Sequence, residues 1–122
     1  MKVWIGYWLM LVAVIHTVAM FMFFPAPLTD IFKRGVFDSI GTEPLLGAVA
    51  WFGLFGVLLF IVGMAVNSLE RSTQGVPVSM AWAILALTML GIVLMPASGF
   101  WLALPAVVGI LFQQRQLKSR TA

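Results

Sequence analysis

Residues 3–24 read VWIGYWLMLVAVIHTVAMFMFF, an apolar stretch with no charged side chain. At 1.5 Å per residue, a helix over this stretch would be about 33 Å long, enough to cross the hydrocarbon core of a bilayer. The stretch is longer than the apolar region of a typical signal peptide, and the Phe-Pro-Ala-Pro sequence that follows is a poor cleavage site. We therefore predict a retained transmembrane helix over 3–24, with Trp4, Tyr7 and Trp8 at the headgroup level.

The composition extends this prediction to most of the chain. Of the 122 residues, 62% are hydrophobic and only 9% are charged, whereas soluble domains average about 45–50% apolar and about 25% charged residues. A small soluble core cannot hide such an excess, so lipid must solvate much of the surface. The sequence contains no cysteine, which excludes disulfides and thiolate metal sites.

The pattern along the chain predicts an all-α integral membrane bundle of four transmembrane helices in a single domain, residues 1–122. The predicted helices are 3–24, 43–68, 78–95 and 99–114, with Thr42 as a candidate N-cap of the second. Pro105 in the middle of the last predicted helix indicates a kink or a locally broken hydrogen-bond ladder there. The basic tail 115–122 is expected to fray.

The connection over residues 28–41 has an amphipathic pattern. Its apolar residues recur at helical spacing, while charged residues occupy the other side. This pattern predicts a short interfacial helix that covers one face of the bundle as a lid would, with an ordered loop as the alternative.

The basic residues predict the orientation in the membrane. With four spans, both termini and the 70–77 connection share one side, which carries five cations: Lys2, Arg71, Arg115, Lys118 and Arg120. The other side carries only Lys33 and Arg34. Because cytoplasmic segments are enriched in Lys and Arg, both termini are predicted to be cytoplasmic. This distribution indicates membrane topology, so no nucleic-acid partner is expected.

The only histidine, His16, lies within the first predicted helix, about 12 Å below its outer end. The same depth on the other helices reaches Trp51 and Thr88, so a layer of His16, Thr17, Trp51 and Thr88 is predicted. In one interpretation, neutral His16 donates to Thr88 or to a backbone carbonyl and pins two helices. In a second, the layer lines an outward pocket for a lipid-soluble molecule, with Glu43 near its rim. In a third, His16 is exposed to lipid or lies in a dimer contact.

Other chemistry at His16 is less well supported by the sequence. Haem in a helical bundle usually needs two axial ligands, and zinc needs three or four. We therefore predict no cofactor, no metal site and no catalytic residue. An enzyme that uses His16 as acid or base is the least favoured class, because Glu43 is expected about 12 Å away along the membrane normal.

A small-residue surface marks the second predicted helix. Gly53, Gly56, Gly63 and Asn67 share one face of that helix. Such faces allow close helix packing in lipid, either within the bundle or between protomers. The expected function is therefore a non-enzymatic interaction: a homo-oligomer or a subunit of a larger membrane complex.

Several short motifs carry a resemblance over nearly the whole chain. They are Trp4-Ile5-Gly6, Trp8-Leu9, His16-Thr17, Trp51-Phe52, and Met95-Pro96 followed by Ser98-Gly99-Phe100-Trp101. Together they resemble a family of small bacterial four-helix membrane proteins catalogued as a domain of unknown function. The resemblance implies a bacterial inner-membrane location and implies no activity. More loosely, the architecture is similar to that of DoxX-like proteins.

Overall fold

The computed structural model describes residues 2–121, and within them it is all-helical with no strand. The α-helices are α1 (Ile5–Phe23), α2 (Pro25–Lys33), α3 (Pro44–Glu70), α4 (Val78–Leu94) and α5 (Leu104–Thr121), and a 3-10 helix, Gly99–Ala103, precedes α5. The all-α prediction is confirmed. Two helices, α1 and α3, are long and apolar enough to cross a membrane, and α4 is a shorter apolar helix.

Side by side in space, the four longest helices are arranged in the order α3, α1, α5, α4. Helix α1 packs along α3 and also contacts α5 and the 3-10 helix, whereas α4 packs on α5 and the 3-10 helix. Within residues 2–121, no Cα of α4 comes within 8 Å of a Cα in α1 or α3. Helices α1 and α5 therefore lie in the middle of this row, and α3 and α4 lie at its two ends.

The buried core lies towards one end of this arrangement. It is formed by apolar side chains from α1, α3, α4, α5 and the 70–77 connection: Ile5, Leu9, Val66, Val76, Ala81, Ala106, Val107 and Ile110. We call this the Glu70 end, because Glu70 at the end of α3 meets the start of α1 there. Beyond Ala13, α1 is covered mainly by α3.

The connection between α1 and α3 differs from the prediction for 28–41. Its helix, α2, begins at Pro25 and ends at Lys33, because proline is well tolerated in the first turn of a helix. The chain then turns through positive φ angles at Gly35, Val36, Asp38 and Gly41. Glu43, not Thr42, takes the N-cap position of α3.

The C-terminal region also differs from the prediction. Pro105 is the second residue of α5, preceded by the 3-10 helix, so it lies where its missing N–H breaks no helical hydrogen bond. The hydrogen-bond ladder changes from 3-10 to α-helical between Ala103 and Leu104, so Pro105 lies in the first turn of α5 and not in the middle of a helix. The tail was expected to fray, but α5 continues to Thr121, the last residue that the structure describes.

Candidate functional site

His16 is joined to α3 by its ring nitrogen and by its ring face. Its Nε2 lies 2.8 Å from the carbonyl oxygen of Phe52, which can only accept, so Nε2 carries the proton and donates. The imidazole stacks on the Phe52 ring with centroids 3.9 Å apart, and the Phe55 ring is 5.4 Å away. His16 thus takes the backbone-carbonyl partner considered above and links α1 to α3.

Gly56 makes this link sterically feasible. A Cβ at Gly56 would lie 2.8 Å from Thr17 Oγ1 and 3.1 Å from His16 Cδ2, both closer than ordinary van der Waals contact. The missing side chain lets α1 approach α3 closely enough for His16 to reach a helix carbonyl. Thr17 itself donates to the Ala13 carbonyl at 3.0 Å, so its hydroxyl is satisfied within α1.

The other residues of the predicted layer lie elsewhere. Trp51 is 72% exposed on the outside of α3, and Thr88 is buried on α4, which does not approach α1 within 8 Å between Cα atoms. The structure therefore brings His16 and Thr17 together at Gly56, without Trp51 or Thr88. The pocket role of these residues stays a prediction.

Glu43 is engaged in the connection before α3. Its Oε1 lies 2.6 Å from Arg34 Nη1, and both side chains are about half exposed. The hydrogen bond from Arg34 to Glu43, together with their Coulomb attraction, raises the pKa of Arg34. Arg34 also donates to the Ser39 carbonyl at 3.3 Å, so the pair orders the turn that leads into α3.

The small-residue face of α3 packs against α1 of the same chain. A Cβ at Gly53 would lie 2.7 Å from the Met20 sulfur, and one at Gly63 would lie 2.7 Å from Met10 Cγ. At Asn67 the approach is so close that a Cβ on Gly6 would come within 2.5 Å of the Asn67 backbone nitrogen. Within the described residues, only Asn67 Oδ1 is a buried side-chain polar atom with no hydrogen-bond partner.

The most extensive polar site is one that the sequence did not single out, at Glu70. Its Oε1 accepts from the backbone N–H groups of Trp4 (3.2 Å) and Ile5 (3.0 Å), and its Oε2 accepts from Gly6 at 2.8 Å. Glu70 is buried, so it does not form a solvated pair with the adjacent Arg71. A carboxylate is favourable here because the first N–H groups of a helix lack intrahelical acceptors and carry positive partial charge.

Gln113 ties α5 to the same site. Its Nε2 donates to Glu70 Oε1 at 3.0 Å and to the Lys2 carbonyl at 3.1 Å. Arg71, by contrast, is exposed and donates to the Tyr7 hydroxyl at 2.9 Å. One carboxylate and one amide therefore connect α1, α3 and α5 at the Glu70 end.

A sequence signal for this site was present. The residues before α1 are Lys2, Val3 and Trp4, none of which can cap a helix with a side-chain oxygen. The first N–H groups of an apolar helix without a local cap need a hydrogen-bond acceptor from another part of the chain. The acidic residue at the end of the next apolar stretch was the natural candidate.

Two apolar grooves open on the surface. The Thr17 groove, between α1 and α3, has a volume of about 360 Å³ and is lined by Ala13, Val14, Thr17, Val18, Phe21, Gly56, Val57, Phe60 and Ile61. The Trp4 groove, between the start of α1 and α5, has a volume of about 570 Å³ and is lined by Trp4, Trp101, Leu104, Pro105, Val108, Gly109 and Phe112. No charged side chain lines either groove.

Comparison with models of known protein families identifies the family of this chain. Residues 1–117 match the model described as Family of unknown function (DUF6463). The chain belongs to this family. The resemblance to a domain of unknown function is therefore confirmed. Comparison with curated proteins and with solved structures finds no match.

Membership of this family assigns no ligand, so the chemistry must come from the residues themselves. Within the part of the chain that the structure describes, no three His, Asp or Glu side chains lie close enough together to hold a metal ion. His16 Nε2 is already hydrogen-bonded. What the described residues provide is close helix packing, a buried helix cap and two apolar grooves.

Proposed function

We propose that the protein is a polytopic inner-membrane protein that acts by association with other membrane helices, as an oligomer or as a subunit of a larger complex. Its four spans would be α1, α3, α4 and the 3-10 helix with α5. The low burial of its two long apolar helices supports a lipid surrounding. Only 17% of the most apolar 18-residue stretch of α3 is buried, and 33% of that of α1, whereas the core helix of a soluble protein is mostly buried.

The lengths of the other helices suit a thinner part of the bilayer. Helix α4 has 17 residues, about 26 Å at 1.5 Å per residue. The apolar residues 99–112 add about 24 Å when the 3-10 turn rises 2.0 Å per residue. Both values fall short of about 30 Å, a mismatch that flanking Gln and Arg side chains offset by reaching to the headgroups.

Contacts at the Glu70 end support the proposed orientation. The side chain of Gln113 contacts the Lys2 carbonyl, and that of Gln114 donates to the Gln74 and Val76 carbonyls at 2.9 and 2.7 Å. Hence the chain around residue 2, the 70–77 connection and the middle of α5 lie at one end, the end that carries most of the cations. The positive-inside rule then places this end in the cytoplasm.

Cysteine labelling tests this topology, because the chain has no cysteine of its own. Single cysteines would replace four exposed residues: Thr42, Thr73, Ala97 and Ser119. In intact cells, an impermeant maleimide should label T42C and A97C, whereas T73C and S119C should react only after the membrane is opened. The cysteine-free chain controls for background. Labelling of T42C and T73C from the same side would contradict a span through α3.

The shape of the Thr17 groove is the observation that carries the proposed association. Its floor is made of small residues, Ala13 and Gly56, and exposed branched side chains such as Val57 and Ile61 stand beside them. A groove with small residues at its base and larger side chains on both sides can accept a side chain from a neighbouring helix in lipid. The absence of an acid–base pair at His16 in residues 2–121, with Glu43 bound to Arg34, favours association over catalysis.

Blocking the groove tests the association. Val57 lines the groove and is 57% exposed, whereas Leu58 is 56% exposed and does not line it. In detergent-free lipid particles, we expect the wild-type chain to have a mass above that of the monomer. Val57→Trp should reduce the associated fraction at least fivefold and Leu58→Trp should leave it unchanged. A monomeric wild type without partners, or equal effects of the two substitutions, would contradict the proposal.

A bound hydrophobic small molecule is the second candidate, favoured by the Thr17 hydroxyl in the same groove and by the nearness of His16 to Gly56. Mass spectrometry of the same particles would distinguish the two. A stoichiometric non-lipid molecule on a monomer, displaced by Val57→Trp, would favour the carrier.

A further inference from the structure

The Trp4 groove continues into a cationic surface at the Glu70 end. Val108, Phe112 and Arg115 are all exposed on α5, and their spacing of four and three residues puts them on one face of the helix. Val108 and Phe112 line the groove. Since α5 is continuous through Arg115, the Cα of Arg115 lies about 4.5 Å beyond that of Phe112 along the helix axis.

Trp4 forms the other wall of the groove and packs against α5. The Trp4 indole lies directly over Gly109, where a Cβ would come 2.5 Å from ring atom Cζ2. The Lys2 carbonyl accepts from Gln113, so the backbone of exposed Lys2 lies near the level of Arg115. In the described residues, the only ion pair joins Arg34 and Glu43, so Arg115 and Lys2 form none. The Glu70 carboxylate at this end is buried and accepts from backbone N–H groups and from Gln113.

We propose that the Trp4 groove and Arg115 form a binding site for one anionic phospholipid of the cytoplasmic leaflet. The acyl chain lies in the apolar groove, and Arg115, with Lys2 nearby, binds the phosphate and the anionic headgroup. This site rests on the proposed membrane function.

The chemistry of the two parts favours a lipid over a second copy of the chain. The groove is apolar along its length and ends at cations, which matches the order of an acyl chain and its headgroup. Arginine donates two parallel hydrogen bonds to phosphate oxygens, and basic groups at this depth attract anionic lipid. A symmetric second copy on this groove would bring two Arg115 guanidinium groups together, and their repulsion opposes that contact.

Native mass spectrometry of the purified full chain in mild detergent tests the site with two probes of equal acyl chains, phosphatidylglycerol and phosphatidylcholine. We expect one phosphatidylglycerol to bind at least tenfold more tightly than phosphatidylcholine. Arg115→Gln should weaken phosphatidylglycerol binding about fivefold, the effect of losing one basic group at the membrane surface. Val108→Trp, which fills the groove, should weaken binding of both lipids.

Arg120→Gln is the matched control, because it removes the same charge from another face of α5. It should leave the affinity within twofold of wild type. Equal binding of the two lipids, or equal losses in Arg115→Gln and Arg120→Gln, would overturn the proposal and indicate attraction by net charge alone. Lipid binding in detergent does not depend on the orientation of the chain in a membrane. The lipid site can therefore be refuted while cysteine labelling supports the topology, and the topology can be refuted while the lipid site is supported.

Discussion

Replacing Glu70 by alanine should lower the free energy of unfolding by about 3 kcal/mol, because three buried or partly buried backbone N–H groups lose their acceptor. Gln113 would also lose one of its two partners. Glu70→Gln keeps one acceptor oxygen without the charge, and we expect roughly half that loss, since charge-assisted hydrogen bonds are about twice as strong as neutral ones. Reversible unfolding in mixed micelles, followed by tryptophan fluorescence, measures both values.

The neighbouring Arg71 provides the control for this experiment. It is exposed and makes one hydrogen bond, to Tyr7, so Arg71→Ala should change the unfolding free energy by no more than about 0.5 kcal/mol. If Glu70→Ala were as mild as Arg71→Ala, the carboxylate would not be the functional cap of α1.

The second large effect is expected at Gly6. A Cβ there would lie 2.5–2.6 Å from the nitrogen, Cα and Cβ of Asn67, and backbone atoms of a packed helix cannot move aside as a flexible side chain can. Gly6→Ala should therefore separate α1 from α3 and lower the unfolding free energy by about 2–3 kcal/mol. The same unfolding assay applies.

Gly47 on α3 is the matched control. A Cβ at Gly47 would meet only Ile40 Cγ2, at 3.8 Å, which is ordinary van der Waals contact. Gly47→Ala should thus be neutral, or stabilising by up to about 1 kcal/mol through helix propensity. Equal stability of Gly6→Ala and Gly47→Ala would refute the close approach of α1 and α3 at Asn67.

The long apolar helices could be predicted from the sequence because their signal is local and strong. The stretches that became α1 and α3 contain no charge over most of their length, so composition alone predicts them. Proline was harder to interpret. Pro25 and Pro105 begin helices, and the choice between interrupting a helix and starting one depends on the preceding turn.

The surroundings of His16 could be predicted only in part. A backbone carbonyl was one of two partners considered, and the structure supplies Phe52. Depth along the membrane normal suggested Thr88 as well, but depth does not determine which helices are neighbours. Helix α5 and not α4 packs beside α1, so no Cα of α4 lies within 8 Å of a Cα of α1.

The Glu70 site escaped prediction because it depends on the register between distant segments. Its contacts join residues 64 to 66 positions apart in the chain, and its contact with Gln113 spans 43. No local pattern specifies such a register. The only sequence feature that indicated the Glu70 site is the lack of a capping side chain before α1.

The position of Glu70 also has a consequence for biogenesis. Chains are synthesised from the amino terminus, so α1 emerges from the ribosome well before the residue that accepts its first N–H groups. During this interval, the first N–H groups of α1 lack this acceptor and depend on solvent for their hydrogen bonds. Gln113 emerges later still, so the joining of α1, α3 and α5 at this end belongs to the last stage of folding.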